Sequence, residues 1–226
     1  MKLSAKEKLS QVPSYSQELG LDLAKEGDRF KWLVASILFA KRISSQIAKR
    51  TYREFEREGI VTAESIMEAG WDKLVEILDS GGYVRYDFST ASKLLEIVAS
   101  LKQNYGSLED LYAQAKDSRD LERKLLEFKG VGATTVNIFL RELKGIWGKA
   151  KPSLSPIAKE VASKLGLSEE ELERSTVESA LVRIGLEFCR GKKCSACPVR
   201  EECSYPTIIG AESRMPPIPS KPRRGI

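Results

Sequence analysis

One stretch decides the fold of this chain: LEFKGVGATTV, which runs from Leu126 to Val136. Apolar residues recur at three-to-four spacing on both sides of it, which predicts one amphipathic helix before the stretch and another after it. Gly130 and Gly132 flank a single apolar residue, and glycine permits the positive φ and close backbone approach that a tight turn needs. We therefore predict two helices joined by a glycine turn within residues 121–143.

The turn also predicts a function. The first turn of an α-helix leaves backbone N–H groups without partners, and such a helix start binds anions. A Gly-Val-Gly turn between two helices therefore looks like a helix-hairpin-helix, a motif whose backbone amides hold one DNA phosphate. An ordinary αα-hairpin with a glycine cap has the same pattern, so this stretch alone leaves both interpretations open.

The composition permits nucleic-acid binding and excludes one class of catalysis. The 226 residues carry a net charge of +5 and include no histidine. A mildly basic surface is compatible with a nucleic-acid partner, and the absence of histidine excludes imidazole chemistry. No apolar run reaches the length of a membrane span and the N-terminus has no signal-peptide apolar region, so we expect a cytoplasmic protein without a membrane partner.

The rest of the chain also has the periodicity of helices. Apolar residues from Phe30 to Leu38 mark a core helix with a basic end, and no convincing period-two strand is found, so we predict an all-α protein. Residues 80–89 form a loop with glycines, three aromatic residues, an arginine and an acid, a composition that often carries function. Aromatic side chains that pack back onto the core are the alternative for this loop.

The cysteines form one cluster with the spacing C-x4-C-x2-C-x5-C. In a reducing compartment, clustered cysteines hold a metal more often than they form disulfides. Four thiolates suit either a zinc ion or a [4Fe–4S] cluster. Zinc ribbons usually present two Cys-x-x-Cys pairs and this chain has one, so we favour the iron–sulfur cluster. The four residues are Cys189, Cys194, Cys197 and Cys203.

The hairpin and the cysteine cluster, in this order, resemble the endonuclease III and adenine DNA glycosylase branch of the helix-hairpin-helix DNA glycosylase superfamily. The resemblance runs from about Phe30 to Cys203, although the first gap of the cluster is two residues shorter than the x6-x2-x5 pattern of that branch. It implies two helical lobes with lesion-containing double-stranded DNA and a flipped base in the cleft between them, in a monomer associated with the nucleoid. The implied divisions are a helical barrel lobe of residues 28–147, an iron–sulfur lobe of residues 1–27 and 148–204, and a proline-rich basic tail of residues 205–226.

The resemblance also implies contacts at matching positions. It implies that the four cysteines ligate the cluster, that the hairpin holds a phosphate, and that two segments insert side chains into the base stack. The implied hairpin contacts are Lys129, Gly130, Val131, Gly132 and Thr134, and the inserting segments are the helix end at Lys41 and Arg42 and the loop at Gly81, Gly82 and Tyr83.

The residues that carry the chemistry in that family are not retained. Lyase-type members have a lysine two residues after the second hairpin glycine, which forms a Schiff base with the sugar, and here this residue is Thr134. Active members have an aspartate at the start of the helix after the hairpin lobe, and here Ser155 takes its place. Losing such a group commonly costs about a hundredfold to ten-thousandfold in rate. Abasic-site lyase activity is therefore not expected, although Lys144, Lys149 or Lys151 could supply a displaced amine nucleophile.

Another acid would have to replace the missing aspartate. Asp87 is the first candidate and Glu127 the second, while Tyr83 or Tyr86 could stack on a base that has left the duplex. Two hypotheses are about equally supported: a glycosylase for damaged or mismatched bases with an altered active site, and an inactive protein of the same fold that binds distorted DNA. A metal-stabilised interaction module without DNA binding is the third.

Overall fold

The computed structural model describes residues 4–173 and 177–205, apart from the side chains of Glu171 and Glu173. Within these ranges every regular element is a helix and no strand occurs, which confirms the predicted all-α class. None of the described helices is both long and apolar enough to cross a membrane. From residue 206 onward, the predicted basic tail lies outside the described residues.

The α-helices follow one another through short connections. After the last of them the chain continues as a π-helical turn, Gly185–Cys189, and two short 3-10 turns, Cys194–Ala196 and Arg200–Glu202. In chain order the α-helices are α1 (Ala5–Ser10), α2 (Tyr15–Glu18), α3 (Glu26–Phe39), α4 (Ser45–Arg57), α5 (Ala63–Ser80), α6 (Asp87–Asn104), α7 (Leu108–Gln114), α8 (Ser118–Leu126), α9 (Ala133–Glu142), α10 (Pro156–Lys164), α11 (Glu169–Glu173) and α12 (Glu178–Ile184).

Short polar side chains set where several helices begin. Ser14, Thr62 and Ser107 precede α2, α5 and α7, and each side-chain oxygen accepts a hydrogen bond from an N–H of the first turn. A cap of this kind stabilises a helix by about 1 kcal/mol. Gly70 interrupts α5 with a φ of 70°.

The chain divides into two compact units, of which the larger is Pro13–Ser155. In this unit α3 packs against α4 and α9, and α5 packs against α6. Trp32 of α3 is fully buried, and its indole N–H donates to the backbone carbonyl of Phe139 in α9 at 3.2 Å. This contact holds the helix that follows the glycine turn against the core.

The larger unit begins earlier in the chain than the predicted barrel lobe. The predicted iron–sulfur lobe includes residues 1–27, whereas residues 13–27 belong to the larger unit. Their apolar side chains lie on one short helix and an irregular segment, so no helical period identified them as core. Those buried in the core of the larger unit are Tyr15, Leu19, Leu21 and Leu23.

Among the described residues, the second unit consists of residues 4–12, 156–173 and 177–205. Here α10 packs against α12 and against the π-helical turn that leads to the first cysteine. The approach is close at Gly185, where a Cβ atom would lie 2.3 Å from a methyl carbon of Ile157. The glycine therefore lets the start of the cysteine segment pack directly on α10.

Candidate nucleic-acid interface and cysteine site

The turn between α8 and α9 is anchored by two buried apolar side chains. Phe128 packs edge-on against Tyr105, with ring centroids 6.2 Å apart, and Val131 is buried beside the core. The N–H of Val131 donates to the carbonyl of Phe128 at 2.9 Å, which closes the turn. Gly130 has a φ of 93°, a conformation that glycine adopts without strain. The predicted helix–glycine turn–helix arrangement is therefore present within residues 121–143.

The start of α9 presents unpaired backbone amides on an exposed bend. Gly132 is the N-cap residue and supplies no side-chain cap, and Ala133 and Thr134 follow it as exposed residues. Among the described residues, no acceptor bonds the N–H groups of these three. The first N–H groups of a helix carry partial positive charge, so this bend can bind an anion.

Val131, between the two glycines, does not present a free N–H group on the exposed bend. It was predicted among the DNA-contacting residues, yet its side chain is buried and its N–H is already bonded to Phe128. We correct that prediction: Val131 anchors the turn and leaves the exposed surface to the glycines on either side of it.

Two lysines lie beside the bend. The side chain of Lys93, from α6, lies along Gly130, since a Cβ atom at Gly130 would fall 2.6 Å from the Cδ atom of Lys93. Lys41, two residues after the end of α3, contacts Lys93, and burial together with the neighbouring Lys93 ammonium lowers the pKa of Lys41 to about 8. The Nζ atom of Lys41 also lies 5.9 Å from the centre of the Tyr86 ring. The predicted DNA-contacting residue Lys41 is thus part of the same surface as the glycine turn.

The other predicted basic contacts are exposed. Lys129 forms an ion pair of 2.9 Å with Glu96, and both side chains are well exposed. Surface pairs of this kind contribute about 0–1 kcal/mol, so a phosphate can replace the carboxylate at little cost. Arg42 is also exposed.

The loop before α6 differs from the prediction in one residue. Tyr83 is 1% exposed, and its hydroxyl donates to the carbonyl of Leu38 at 2.8 Å. We therefore correct its assignment as a DNA contact, because the ring is part of the core. Tyr86 is partly exposed and lies near Lys41 and Arg85, with the Arg85 guanidinium 5.5 Å from its ring centre.

Two apolar residues close to Tyr83 were missed from the sequence. Val84 is 63% exposed and Phe88 is 59% exposed, and Phe88 packs against the partly exposed Trp71 with ring centroids 5.3 Å apart. Large apolar side chains in a glycine-containing loop are the signal that could have identified them. Their exposure gives the loop an apolar tip.

The candidate acids lie in unequal environments. Asp87, the first residue of α6, is 8% exposed, and its Oδ1 atom accepts from the N–H of Phe88 at 2.6 Å. A hydrogen bond with Asp87, followed by desolvation and charge repulsion, raises the pKa of Asp79. Glu127 is exposed and already accepts from the Tyr105 hydroxyl and from Arg123. Of the two predicted acids, Asp87 is the one that lies next to a second carboxyl group, that of Asp79.

The two positions that depart from the family pattern lie in neighbouring segments. Thr134 is exposed at the start of α9, and Asn137 follows it by three residues, so both project from the same side of the helix. The side-chain amide of Asn137 donates to the carbonyl of Ser153 at 2.7 Å. Ser155 lies two residues further, directly before α10. No amine or carboxylate occupies either position.

All four cysteines lie in the second unit. All four line one cavity of about 350 Å³, and none is in a disulfide. Burial raises the pKa of Cys189 and of Cys197. Among the described residues, no three cysteine, aspartate or glutamate side chains form a set that could hold a single metal ion. Basic side chains share the lining: Lys164, Arg190, Lys192 and Arg200.

Comparisons with known proteins include a similar sequence and a solved structure with a similar fold. No protein-family model matches the chain. A solved structure with a similar arrangement is the Helicobacter pylori 3-methyladenine DNA glycosylase bound to 1,N6-ethenoadenine, with a TM-score of 0.48 and 15% identity, covering 84% of this chain and 99% of that one. In sequence, the chain is 24% identical over 196 residues to a candidate DNA repair glycosylase of Methanocaldococcus jannaschii, an alignment that covers 77% of this chain and 85% of that relative.

Proposed function

We propose that this protein binds damaged or mismatched double-stranded DNA and acts as a DNA glycosylase that removes a base. The exposed bend at Gly130 and Gly132 carries the proposal, because it presents unpaired amides at the start of α9. The sequence similarity to a candidate DNA repair glycosylase supports the same function.

The bend would hold the DNA backbone. A phosphate oxygen that accepts from the N–H groups of Gly132, Ala133 and Thr134 would satisfy amides that otherwise depend on water. Lys93 and Lys41 lie next to the bend and add positive charge to the same surface. These contacts position the duplex and carry no base specificity.

The apolar loop would help to extrude the base. A base must leave the stack before its glycosidic bond can be cleaved, and the gap costs a few kcal/mol of lost stacking. Apolar side chains inserted between base steps are a common way to fill such a gap. Val84, in the loop that carries Tyr86, and Phe88, in the first turn of α6, are exposed apolar side chains, and we propose Val84 as the inserting residue.

For base removal we propose Asp87 as the acid. Cleavage of a glycosidic bond develops positive charge on the sugar, and a nearby carboxylate stabilises that charge. Asp79, which is protonated more readily than an ordinary aspartate, lies beside Asp87 and can share a proton with it. The second candidate function, DNA binding without base removal, is favoured by Thr134 and Ser155, which supply neither an amine nor a carboxylate.

We further propose that Cys189, Cys194, Cys197 and Cys203 hold a [4Fe–4S] cluster, with zinc as the alternative. The four cysteines line one cavity, and the single Cys-x-x-Cys pair in their spacing favours the cluster over zinc. When bound, the cluster would supply structure by closing the cysteine segment. The basic side chains around that segment would then attract the phosphate backbone of DNA.

A single experiment tests the proposal. Purified protein is incubated with a panel of duplexes, each with one damaged or mismatched base, and base release is measured by chromatography. We expect release from at least one duplex and its loss in Asp87→Asn. DNA binding should weaken steeply with added salt, because neutralised phosphates release counterions. Binding without release across the panel would favour the second function, and a flat salt response would argue against both.

The cofactor is tested separately. A bound [4Fe–4S] cluster makes the protein brown with broad visible absorption, whereas colourless protein with one equivalent of zinc would overturn the cluster. Replacing Cys197 with serine should lower the bound iron in either functional case.

A further inference from the structure

Two exposed aromatic side chains pack on each other where α5 lies beside α6. Trp71 of α5 is 40% exposed and Phe88, in the first turn of α6, is 59% exposed, with ring centroids 5.3 Å apart. We call these two side chains the aromatic pair. Both rings keep a large area in contact with solvent, although the two helices pack closely on each other. Exposed apolar surface of this kind marks an interaction site when it is contiguous.

Hydrogen bonds fix the orientation of the exposed indole. The Nε1–H of Trp71 donates to the Ser92 hydroxyl oxygen at 3.0 Å, and the Ser92 hydroxyl donates to the backbone carbonyl of Phe88 at 3.0 Å. Ser92 therefore connects the two members of the pair. A side chain that is already ordered loses little conformational entropy when a ligand binds, so the pair is preorganised for contact with a flat ligand.

The aromatic pair lies along the same face of α6 as a contact with the hairpin. Phe88, Ser92 and Glu96 follow one another at intervals of four residues, so they share one face of the helix. Glu96 pairs with Lys129, the residue before Gly130, at 2.9 Å. Phe88 precedes Glu96 by eight residues, which is about 12 Å along the helix axis. A strand held on the bend therefore reaches the pair within about four nucleotides, at about 3.4 Å per nucleotide.

The charges near the pair favour contact with bases rather than with phosphates. Glu68 and Asp72, which precede and follow Trp71 on α5, are both exposed. Their carboxylates repel a phosphate group, whereas the rings of the pair are uncharged. Bases of a single strand stack on aromatic side chains with little regard to sequence. In a duplex the neighbouring base pairs cover the flat faces of each base, so only an unpaired base can stack on these rings.

We propose that the aromatic pair of Trp71 and Phe88 binds an unpaired base in a single-stranded stretch of DNA that continues from the duplex held at the glycine bend. The proposal rests on the proposed function, because the bend places the strand. It adds a preference for the junction between double-stranded and single-stranded DNA. This contact is separate from the base that is removed and from the insertion of Val84.

Binding to two kinds of DNA tests the proposal. The full-length protein is titrated against a labelled blunt duplex, and against the same duplex with a single-stranded overhang of about six nucleotides at one or the other end of one strand, which exceeds the span of about 12 Å. We expect tighter binding to a duplex with an overhang, by roughly 5- to 150-fold, which is the contribution of one stacked base. Phe88→Ala should abolish this preference and bind the blunt duplex like the wild type.

Ile146→Ala is the matched control for Phe88→Ala. Ile146 is also an exposed apolar residue, at 43%, and it follows α9, outside the aromatic pair. This variant should keep the preference for the overhang. The ratio of the wild-type affinity to that of Phe88→Ala should be the same at low and at high salt, because Phe88 carries no charge and its loss releases no counterions.

Tryptophan fluorescence gives a readout at the pair itself. Of the three tryptophans in the chain, Trp32 and Trp147 are buried and Trp71 is exposed. A base that stacks on Trp71 quenches its emission, so the duplex with an overhang should quench fluorescence that the blunt duplex leaves nearly unchanged. Trp71→Phe keeps an aromatic ring at this position and should lose the quenching.

The outcomes separate this proposal from the proposed function. Equal affinity for blunt and overhang duplexes, or a preference that Phe88→Ala retains, would overturn base stacking at the pair, favour a protein partner for that surface, and leave phosphate binding by the bend in place. Absence of binding to every duplex would overturn both. Thermal unfolding of Phe88→Ala is measured in parallel, and we expect a Tm close to that of the wild type because Phe88 is exposed. If that variant fails to fold, the wild-type fluorescence decides, since an overhang that leaves Trp71 unquenched overturns the proposal.

Discussion

Adding a single methyl group at Gly132 separates the binding role of the bend from its structural role. Gly132 has a φ of −106° and a ψ of 175°, which alanine adopts freely, and a Cβ atom there would meet nothing within 4 Å. Gly130 is different, because its φ is 93° and a Cβ atom would lie 2.6 to 2.9 Å from three carbons of Lys93. Gly132→Ala should therefore fold normally and place its methyl group on the exposed bend.

The magnitudes follow from these contacts. Gly132→Ala changes only the N-cap residue, which costs below about 1 kcal/mol of unfolding free energy. Gly130→Ala forces a left-handed alanine, which costs about 1–2 kcal/mol, and displaces Lys93 as well. A hydrogen bond from an amide to a charged phosphate contributes about 1.5–3 kcal/mol. If the methyl group prevents one such bond, Gly132→Ala should weaken DNA binding by roughly 10- to 150-fold.

The assay combines thermal unfolding with fluorescence anisotropy on a labelled duplex at fixed salt concentration. Gly27→Ala is the matched control: Gly27 lies in the first turn of α3 and is exposed, and a Cβ atom there would also meet nothing within 4 Å. That variant should be at least as stable as the wild type and should keep its affinity for DNA. A Gly132→Ala protein that unfolds like the wild type and binds DNA with the same affinity would refute phosphate binding by the bend.

Two further predictions concern the larger unit. The Arg29 side chain is 8% exposed and pairs with Glu109 at 2.7 Å, so Arg29→Ala should lower the free energy of unfolding by about 3–5 kcal/mol, measured by urea denaturation; a change under about 1 kcal/mol would contradict the importance of this pair. The pKa of Asp79 is raised in the folded state by its contact with Asp87, so the stability that Asp79 contributes is present at acid pH and is lost as the pH rises through its folded pKa. Asp79→Asn should therefore raise the Tm at pH 7 relative to the wild type and leave it nearly unchanged near pH 3. An equal shift at both pH values would show that repulsion from Asp87 is not the cause.

Part of the candidate site could be read from local sequence. The glycine spacing and the flanking apolar periods predicted the turn, because helix ends and positive φ depend on a few neighbouring residues. The close spacing of the cysteines predicted that they would lie near one another, and all four line one cavity. Neither inference needed knowledge of distant parts of the chain.

Other parts could not be read in this way. Tyr83 and Val84 are neighbours in one loop, yet one is buried and the other is the exposed tip, because the carbonyl of Leu38 receives the Tyr83 hydroxyl. The burial of residues 13–27 in the larger unit likewise depends on surfaces supplied by helices far along the chain.

By itself, the sequence determined the helical class, the glycine turn at residues 130–132 and the grouping of the four cysteines, since each depends on residues close together in the chain. Only the tertiary structure decided that Lys41 and Lys93 would meet beside Gly130, and that Asp79 would lie against Asp87. The physical reason is that charge repulsion and burial act through space. Residues that are far apart in the sequence share a surface, or change one another's pKa, only once packing brings them together.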